Sequence, residues 1–235
     1  MISHFHKTIF VHIPKCGGMT VEHAFLEDIG LDWNRRAPFL LLKNIQPRIG
    51  PERLAHLTAA EYLKYKYCTP EHFASYYKFS VVRDPIARIV SVYNYTYLKR
   101  FSKPFRAFYM AFEKVTGVHY PFDAFMSRVV EPALTDTAQQ VFGDDAFYNG
   151  FYWFLRPQVD FIYDGEKQLV DDVVRLESLK NEWPKIANRT GVQKELGHVN
   201  SSLKRLSVTD LSDAQQDRIR SLYAADYDML DRIGG

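Results

Sequence analysis

Thr8-Ile9-Phe10-Val11-His12-Ile13-Pro14-Lys15-Cys16-Gly17-Gly18-Met19-Thr20 passes from one kind of backbone to another within thirteen residues. Ile9 to Ile13 is a short β-branched and aromatic run, the pattern of a buried parallel strand. Pro14 to Gly18 breaks it, and Met19 to Leu26 resumes at helical spacing. Strand, glycine turn and helix in that order make an anion cradle. Paired glycines let the backbone approach closely, and unspent N–H groups at a helix start point at negative charge. Lys15 adds a cation beside them. A Walker A loop carries its lysine after the last glycine, whereas Lys15 precedes Gly17. A cysteine-phosphatase loop needs an arginine six positions after its cysteine, and Glu22 stands there. The plainer reading is a tight strand-to-helix turn with an incidental lysine.

Tyr77 to Arg83 repeats the buried-strand pattern and ends in Asp84-Pro85, which opens a helix running to about Lys99. Arg83 at the strand edge and Ser91 two turns into the helix can converge on one anion. Arginine supplies planar paired donors and serine a short one. A surface pair of Asp84 and Arg88 capping the helix explains those two residues, but not the Arg83/Ser91 spacing.

The first stretch resembles the 5′-phosphosulfate loop of sulfotransferases that use 3′-phosphoadenosine 5′-phosphosulfate (PAPS). Arg83 with Ser91 eight residues later resembles their 3′-phosphate motif. Arg156-Pro157-Gln158 and Arg175 to Leu179 look like later segments of the Golgi-type carbohydrate sulfotransferases and their bacterial relatives. His198-Val199-Asn200-Ser201-Ser202 and Tyr223 to Leu230 are similar to further segments of that family. The resemblance is weakest from about Phe101 to Phe151, and Met19 stands where the family usually carries a hydroxyl. It implies a three-layer α/β, P-loop-like fold with a largely parallel central sheet flanked by helices. It also implies in-line sulfuryl transfer from PAPS to a hydroxyl, less readily an amine, with PAP as product. Lys15 would then serve the departing phosphate. Cys16, Gly17, Gly18, Met19 and Thr20 would line the phosphosulfate, Arg83 and Ser91 the 3′-phosphate, and Asn200, Ser201 and Ser202 the cofactor side. Cys16 reads as packing, because this transfer goes directly to the acceptor.

A general base is also needed, and histidine is tuned for that near neutral pH. His56, just before a helix, resembles the catalytic histidine of the heparan sulfate 2-O-sulfotransferase branch. His72, on a short helix before the second strand, is the alternative, and each has a purely structural reading. His12 reads as a core residue beside the loop, and His4, His6 and His119 as surface residues. Lys99, Arg100, Lys103 and Arg106, interleaved with aromatics, form a candidate acceptor platform that Arg156 would share. A solvated helix end over buried aromatics explains them equally well. Polysaccharide, glycolipid and small-molecule acceptors all remain open.

With 235 residues, 46% hydrophobic and 25% charged, the chain is read as one domain of ordinary soluble composition, 101–151 being a helical insertion bordering the acceptor site. A net charge of +2 does not suggest a nucleic-acid partner. Cys16 and Cys68 make neither a disulfide framework nor a zinc site and read as thiols of a reducing, cytoplasmic compartment. No metal requirement and no membrane segment are expected, and oligomeric state is left open. A helix is expected at Thr58 to Lys66 with a Thr58/Glu61 capping box, and another start at Thr69-Pro70-Glu71. Phe39 to Leu42, Val159 to Tyr163 and Val173 to Leu176 read as strands. Phe105 to Val115, Phe122 to Val130, Leu179 to Asn188 and Asp213 to Ile233 read as helices, the last opened by a second capping box of Ser212 and Gln215, and Glu131 to Gly150 as a loop or insertion. The rival classes are a P-loop kinase or NTPase and a non-catalytic nucleotide- or anion-binding module.

Overall fold

In the computed structural model the described residues are 1–46, 51, 53–100, 122–135, 152–197 and 206–234. A four-stranded sheet runs in the order β1 (Ile2–Ser3), β2 (Thr8–Val11), β3 (Tyr77–Val82) and β6 (Asp172–Arg175). β2 pairs in parallel with β3, placing Phe10 beside Phe79, and β3 pairs in parallel with β6, placing Ser80 beside Val173. Only β1 is antiparallel, hairpinned onto β2. β2 is buried throughout and β3 nearly so; the run Ile9 to Val11 is accordingly apolar without a break, while β3 also buries Lys78 and Ser80, whose side chains donate to the Tyr76 and Val11 carbonyls. A separate ribbon joins β4 (Tyr163–Asp164) to β5 (Lys167–Gln168).

The helices are α1 (Gly18–Asp28), α2 (Ala59–Lys64), α3 (Pro70–Ser75) and α4 (Pro85–Arg100). After them come α5 (Tyr152–Leu155), α6 (Val159–Ile162), α7 (Leu179–Thr190), α8 (Asp213–Leu222) and α9 (Ala224–Gly234). Between α4 and α5, Phe122–Phe125, a π-helical turn at Met126–Val130 and Glu131–Leu134 run on from one another. Both expected capping boxes form, Thr58 with Glu61 and Ser212 with Gln215. Phe10, Phe25 and Phe79 pack together at the sheet, while α4 buries Ile86, Ile89 and Tyr93 against Phe125, Leu155, Ile219 and Tyr223.

Several expectations are corrected. Val159 to Ile162 is helical, and only Tyr163 enters a strand. The spacing of Val159, Phe161 and Ile162 fits either period, and the Asp226 carboxylate accepts the Val159 N–H where a helix begins. Phe39 to Leu42 is no strand. A 3₁₀ turn at Ala37–Phe39 ends on Leu40 in the left-handed region (φ 59°). The expected helix Asp213 to Ile233 breaks at Tyr223, whose buried hydroxyl donates to the Leu155 carbonyl at 2.6 Å. Glu131–Leu134 is helical rather than loop. His6 is buried, not superficial, its Nε2 3.0 Å from Asp28 Oδ2 and its Nδ1 2.7 Å from Ser3 Oγ. The helix expected at 105–115 lies outside the described residues, as does most of the 101–151 insertion.

Candidate functional site

Parallel strands carry their functional turns at one edge, because each chain leaves the sheet on the same side. β2 leaves it into the glycine turn, β3 into Arg83-Asp84, and β6 into Leu176-Glu177-Ser178. Leu176 meets the first turn directly. A Cβ on Gly17 would lie 2.5 Å from its Cδ1, and Gly17 itself sits at φ +77°. Gly18 is required for a second reason. A Cβ there would come within 2.2 Å of the His12 ring, which Glu22 fixes through a buried 2.6 Å contact to Nδ1.

Two of the turn's N–H groups are spent internally, Cys16 on the Ile13 carbonyl and Thr20 on that of Gly17. Those of Gly17, Gly18 and Met19 meet no carbonyl among the described residues, and α1 has no side-chain cap. Three donors and the positive end of the helix dipole therefore converge on one spot. Lys15 adopts φ 68°, and its Nζ lies 4.4 Å from the centre of the Tyr95 ring. Cys16 points inward. Burial pushes its thiol up to about 12, so the group stays a thiol, donating to Gln158 Oε1 at 3.3 Å. It contributes shape, not a nucleophile.

Arg83 joins this turn. Its Nη1 donates to the Lys15 carbonyl at 3.4 Å, while its buried Nε has no partner among the described residues. Asp84 caps α4 by accepting the Ala87 N–H at 2.8 Å and also accepts from Tyr227. Arg88 does not join Asp84 at the surface. It is fully buried, donating from Nε to the Pro14 carbonyl at 3.2 Å and from Nη2 to that of Phe154 at 3.1 Å, with no partner for Nη1 among the described residues. Ser91 lies between Arg88 and Tyr95 at i+3 and i−4 spacing. Both neighbours touch the glycine turn, so Ser91 belongs to the strip of α4 that faces it.

His56 stands beside the same turn. Its Nδ1 lies 3.1 Å from the His12 carbonyl, its ring 4.4 Å from the His12 ring and 6.4 Å from Phe154. A carbonyl oxygen only accepts, so Nδ1 carries the proton and Nε2 keeps its lone pair. Burial first, then the His12 and Arg53 charges, hold its pKa well below the ordinary value. Arg53 lies 5.5 Å over the Phe154 ring, which itself packs 5.2 Å from Tyr95. His72 is elsewhere. It is exposed on α3, which leads into the first residue of β3, and packs on Tyr76 and His4 at the opposite edge of the sheet.

Arg156 has its Nε 3.4 Å from Asp160, its buried Nη1 3.8 Å from Glu61 with no hydrogen bond among the described residues, and its guanidinium 5.7 and 5.6 Å from the Trp153 and Phe161 ring centres. Asn200, Ser201, Ser202, Lys103 and Arg106 lie outside the described residues, as do the side chains of Lys99 and Arg100. Among the described residues no three His, Cys, Asp or Glu side chains come together as a metal-ligand set, and no helix is long and apolar enough to cross a membrane.

The sequence reading did not place Tyr95, Phe154, Arg53 or Asp226 at the site, read Arg88 as a surface residue and met Gln158 only within the Arg156-Pro157-Gln158 segment. Tyr95 was within reach, one turn beyond Ser91 on the same helix face. Gln158 and Asp226 stand in family-like segments, but their roles carry no local signal, because their partners lie 75 and 68 positions away. No curated protein and no solved structure matches the chain. A sequence model of the sulfotransferase family matches residues 1–231, nearly the whole length over which these turns are assembled, and the chain belongs to that family.

Proposed function

We propose that the chain is a PAPS-dependent sulfotransferase of P-loop-like fold, working as a single domain. It moves a sulfuryl group to a hydroxyl, less readily an amine, of a carbohydrate or other acceptor. The observation that carries this reading is the contact of Arg83 with the Lys15 carbonyl, which puts two anion-seeking turns side by side at neighbouring strand ends. A nucleotide with phosphate at both its 5′ and 3′ positions matches two such turns. The unpartnered Arg83 Nε and the three unspent N–H groups fit negative groups there.

In this reading the N–H groups of Gly17, Gly18 and Met19, with the Thr20 hydroxyl, hold the 5′ phosphosulfate, and Lys15 Nζ stabilises charge on the bridging oxygen. Thr20's own N–H is committed to Gly17 and takes no part. Arg83 and Ser91 hold the 3′-phosphate and so distinguish the donor from ATP. When bound, PAPS supplies the sulfuryl group, and PAP is released. His56 Nε2 takes the acceptor's proton. Its depressed pKa keeps that nitrogen unprotonated at neutral pH, at the cost of a weaker pull on the proton. The Tyr95–Phe154 pair walls the turn beside Lys15. The work is positioning and charge stabilisation, as in phosphoryl transfer.

Calorimetric titration with PAP, with ATP and AMP as controls, tests the assignment. Tight PAP binding against weak ATP and AMP binding is the expected result, followed by acceptor-dependent PAPS turnover. Equal binding of ATP and PAP, or no PAP binding, overturns it.

A further inference from the structure

Gln158 is fully buried, and all four of its hydrogen-bonding positions that the neighbours can reach are used. Its Oε1 accepts from the Arg83 N–H at 2.9 Å and from the Cys16 thiol at 3.3 Å. Its Nε2 donates to the Arg83 carbonyl at 2.8 Å and to Asp226 Oδ2 at 3.2 Å. The side chain thus pairs with the Arg83 backbone as a neighbouring strand would, one residue past Val82, where the pairing of β3 with β6 ends. The amide has one workable orientation. Flipped, its NH₂ would face the Arg83 N–H and the thiol, both donors, and its oxygen would face a carbonyl and a carboxylate. Asp226 enforces the choice, its other oxygen being occupied by the Val159 N–H at 3.0 Å.

One side chain therefore touches both anion-facing turns, Cys16 in the first and Arg83 in the second, and is itself anchored to α9. Arg83 bears its guanidinium one rotatable side chain away from that pinned backbone. A buried amide with every partner satisfied is stiff, because any rotation strands several polar groups at once. Resting on the reading above, we propose that Gln158, held in its orientation by Asp226, is a positioning residue. It sets the span between the two phosphate-binding turns and so makes the protein prefer a nucleotide phosphorylated at both ends over one phosphorylated at the 5′ end alone. Gln158 contacts no ligand in this account. It acts through Arg83.

The test is calorimetry with three probes, PAP, 5′-AMP and 3′-AMP, on the full chain. Gln158→Met keeps the volume and removes every hydrogen bond. PAP and 3′-AMP affinity should fall about tenfold, the scale of one or two lost buried hydrogen bonds. Affinity for 5′-AMP, which needs only the glycine turn, should change less than about threefold on the same scale. Asp226→Asn, which touches neither turn, should shift the same ratio in the same direction, since one of the two accepting oxygens becomes an NH₂ that faces a donor, either Gln158 Nε2 or the Val159 N–H. A PAP to 5′-AMP ratio unchanged in both variants overturns the proposal, as does an equal loss for all three probes, the mark of a merely structural role. Failure of the unaltered protein to bind PAP instead overturns the functional reading itself. Should both variants melt below the assay temperature, the unaltered ¹⁵N-labelled protein decides. Its Gln158 side-chain amide resonances should shift on adding PAP and not on adding 5′-AMP, and equal response to both overturns the proposal.

Discussion

Arg83 reaches from the end of β3 to the carbonyl oxygen of Lys15 at the end of β2, an Nη1 to oxygen distance of 3.4 Å. Two residues separated by most of a strand–helix–strand unit thus share one small volume at the carboxyl edge of the sheet. Their side chains nevertheless have separable tasks. Lys15 holds its charge over the Tyr95 ring from a turn strained into the left-handed region, whereas Arg83 presents a fork of donors from a backbone pinned on both sides by Gln158.

That separation predicts opposite signatures. Lys15→Ala should cut turnover by about a hundredfold or more, the scale of losing one charge-stabilising donor, while PAP affinity moves only a few-fold. Arg83→Ala should instead weaken PAP binding by roughly one to two orders of magnitude, since it removes charge-assisted hydrogen bonds to a ground-state ligand. Steady-state kinetics and calorimetry on the pair check this. Unchanged turnover in Lys15→Ala would remove the lysine from the chemistry.

Gly18→Ala makes a stability prediction that does not depend on the ligand. The new methyl would overlap the His12 ring, whose Cδ2 lies 2.2 Å from where the Cβ must go. The ring cannot swing aside cheaply because Glu22 holds it at 2.6 Å. Overpacking of this kind costs about 1–3 kcal/mol. Truncating the ring should return part of that, so Gly18→Ala with His12→Ala should be less destabilised than the two single changes added together. Chemical denaturation of the four proteins measures the coupling, and strict additivity would mean that the ring relaxes freely.

The sheet and the glycine turn were legible because their signals are local. β2 is an apolar run from Ile9, β3 is rich in aromatic and β-branched residues around Lys78 and Ser80, and Gly17 and Gly18 follow soon after β2. The capping boxes of α2 and α8 were legible for the same reason, each being a four-residue pattern. What was not legible depends on distant partners. Val159 to Ile162 has an apolar spacing common to both periods, and the Asp226 carboxylate that starts a helix there comes from the far end of the chain. Arg88 reads as a helix-surface residue, yet carbonyls of Pro14 and Phe154 draw it inside. His6 is buried only because the hairpin lays it against Asp28 and Phe25.

The two candidate bases separate by position. His56 touches His12, two residues before the glycine turn begins, while His72 sits before β3, at the other end of a six-residue strand spanning about 20 Å. His56→Ala should lower acceptor-dependent turnover by about 10²–10⁴-fold with PAP affinity nearly unchanged, and His72→Ala should leave both within about twofold. Loss of turnover in His72→Ala with retention in His56→Ala would reverse the assignment.

His56 also ties stability to pH, with a sign that follows from its environment. Burial, joined by the nearby His12 and Arg53 charges, depresses its pKa well below 6.5 in the folded protein. The unfolded chain therefore binds a proton at His56 in a range where the folded chain does not, and proton uptake then favours unfolding. Its contribution is complete above pH 6.5 and is lost as the pH falls from 6.5 toward the folded-state value, with a limiting slope of about 1.4 kcal/mol per pH unit. Denaturant unfolding of the unaltered protein and of His56→Gln across roughly pH 4.5 to 8 isolates this contribution, because the other histidines are common to both. The unaltered protein should lose stability more steeply on the acid side, and turnover should hold below pH 6.5 before its acid limb begins. Parallel stability curves would mean that His56 titrates as it does in water, and the imidazole would then be solvated rather than held against His12.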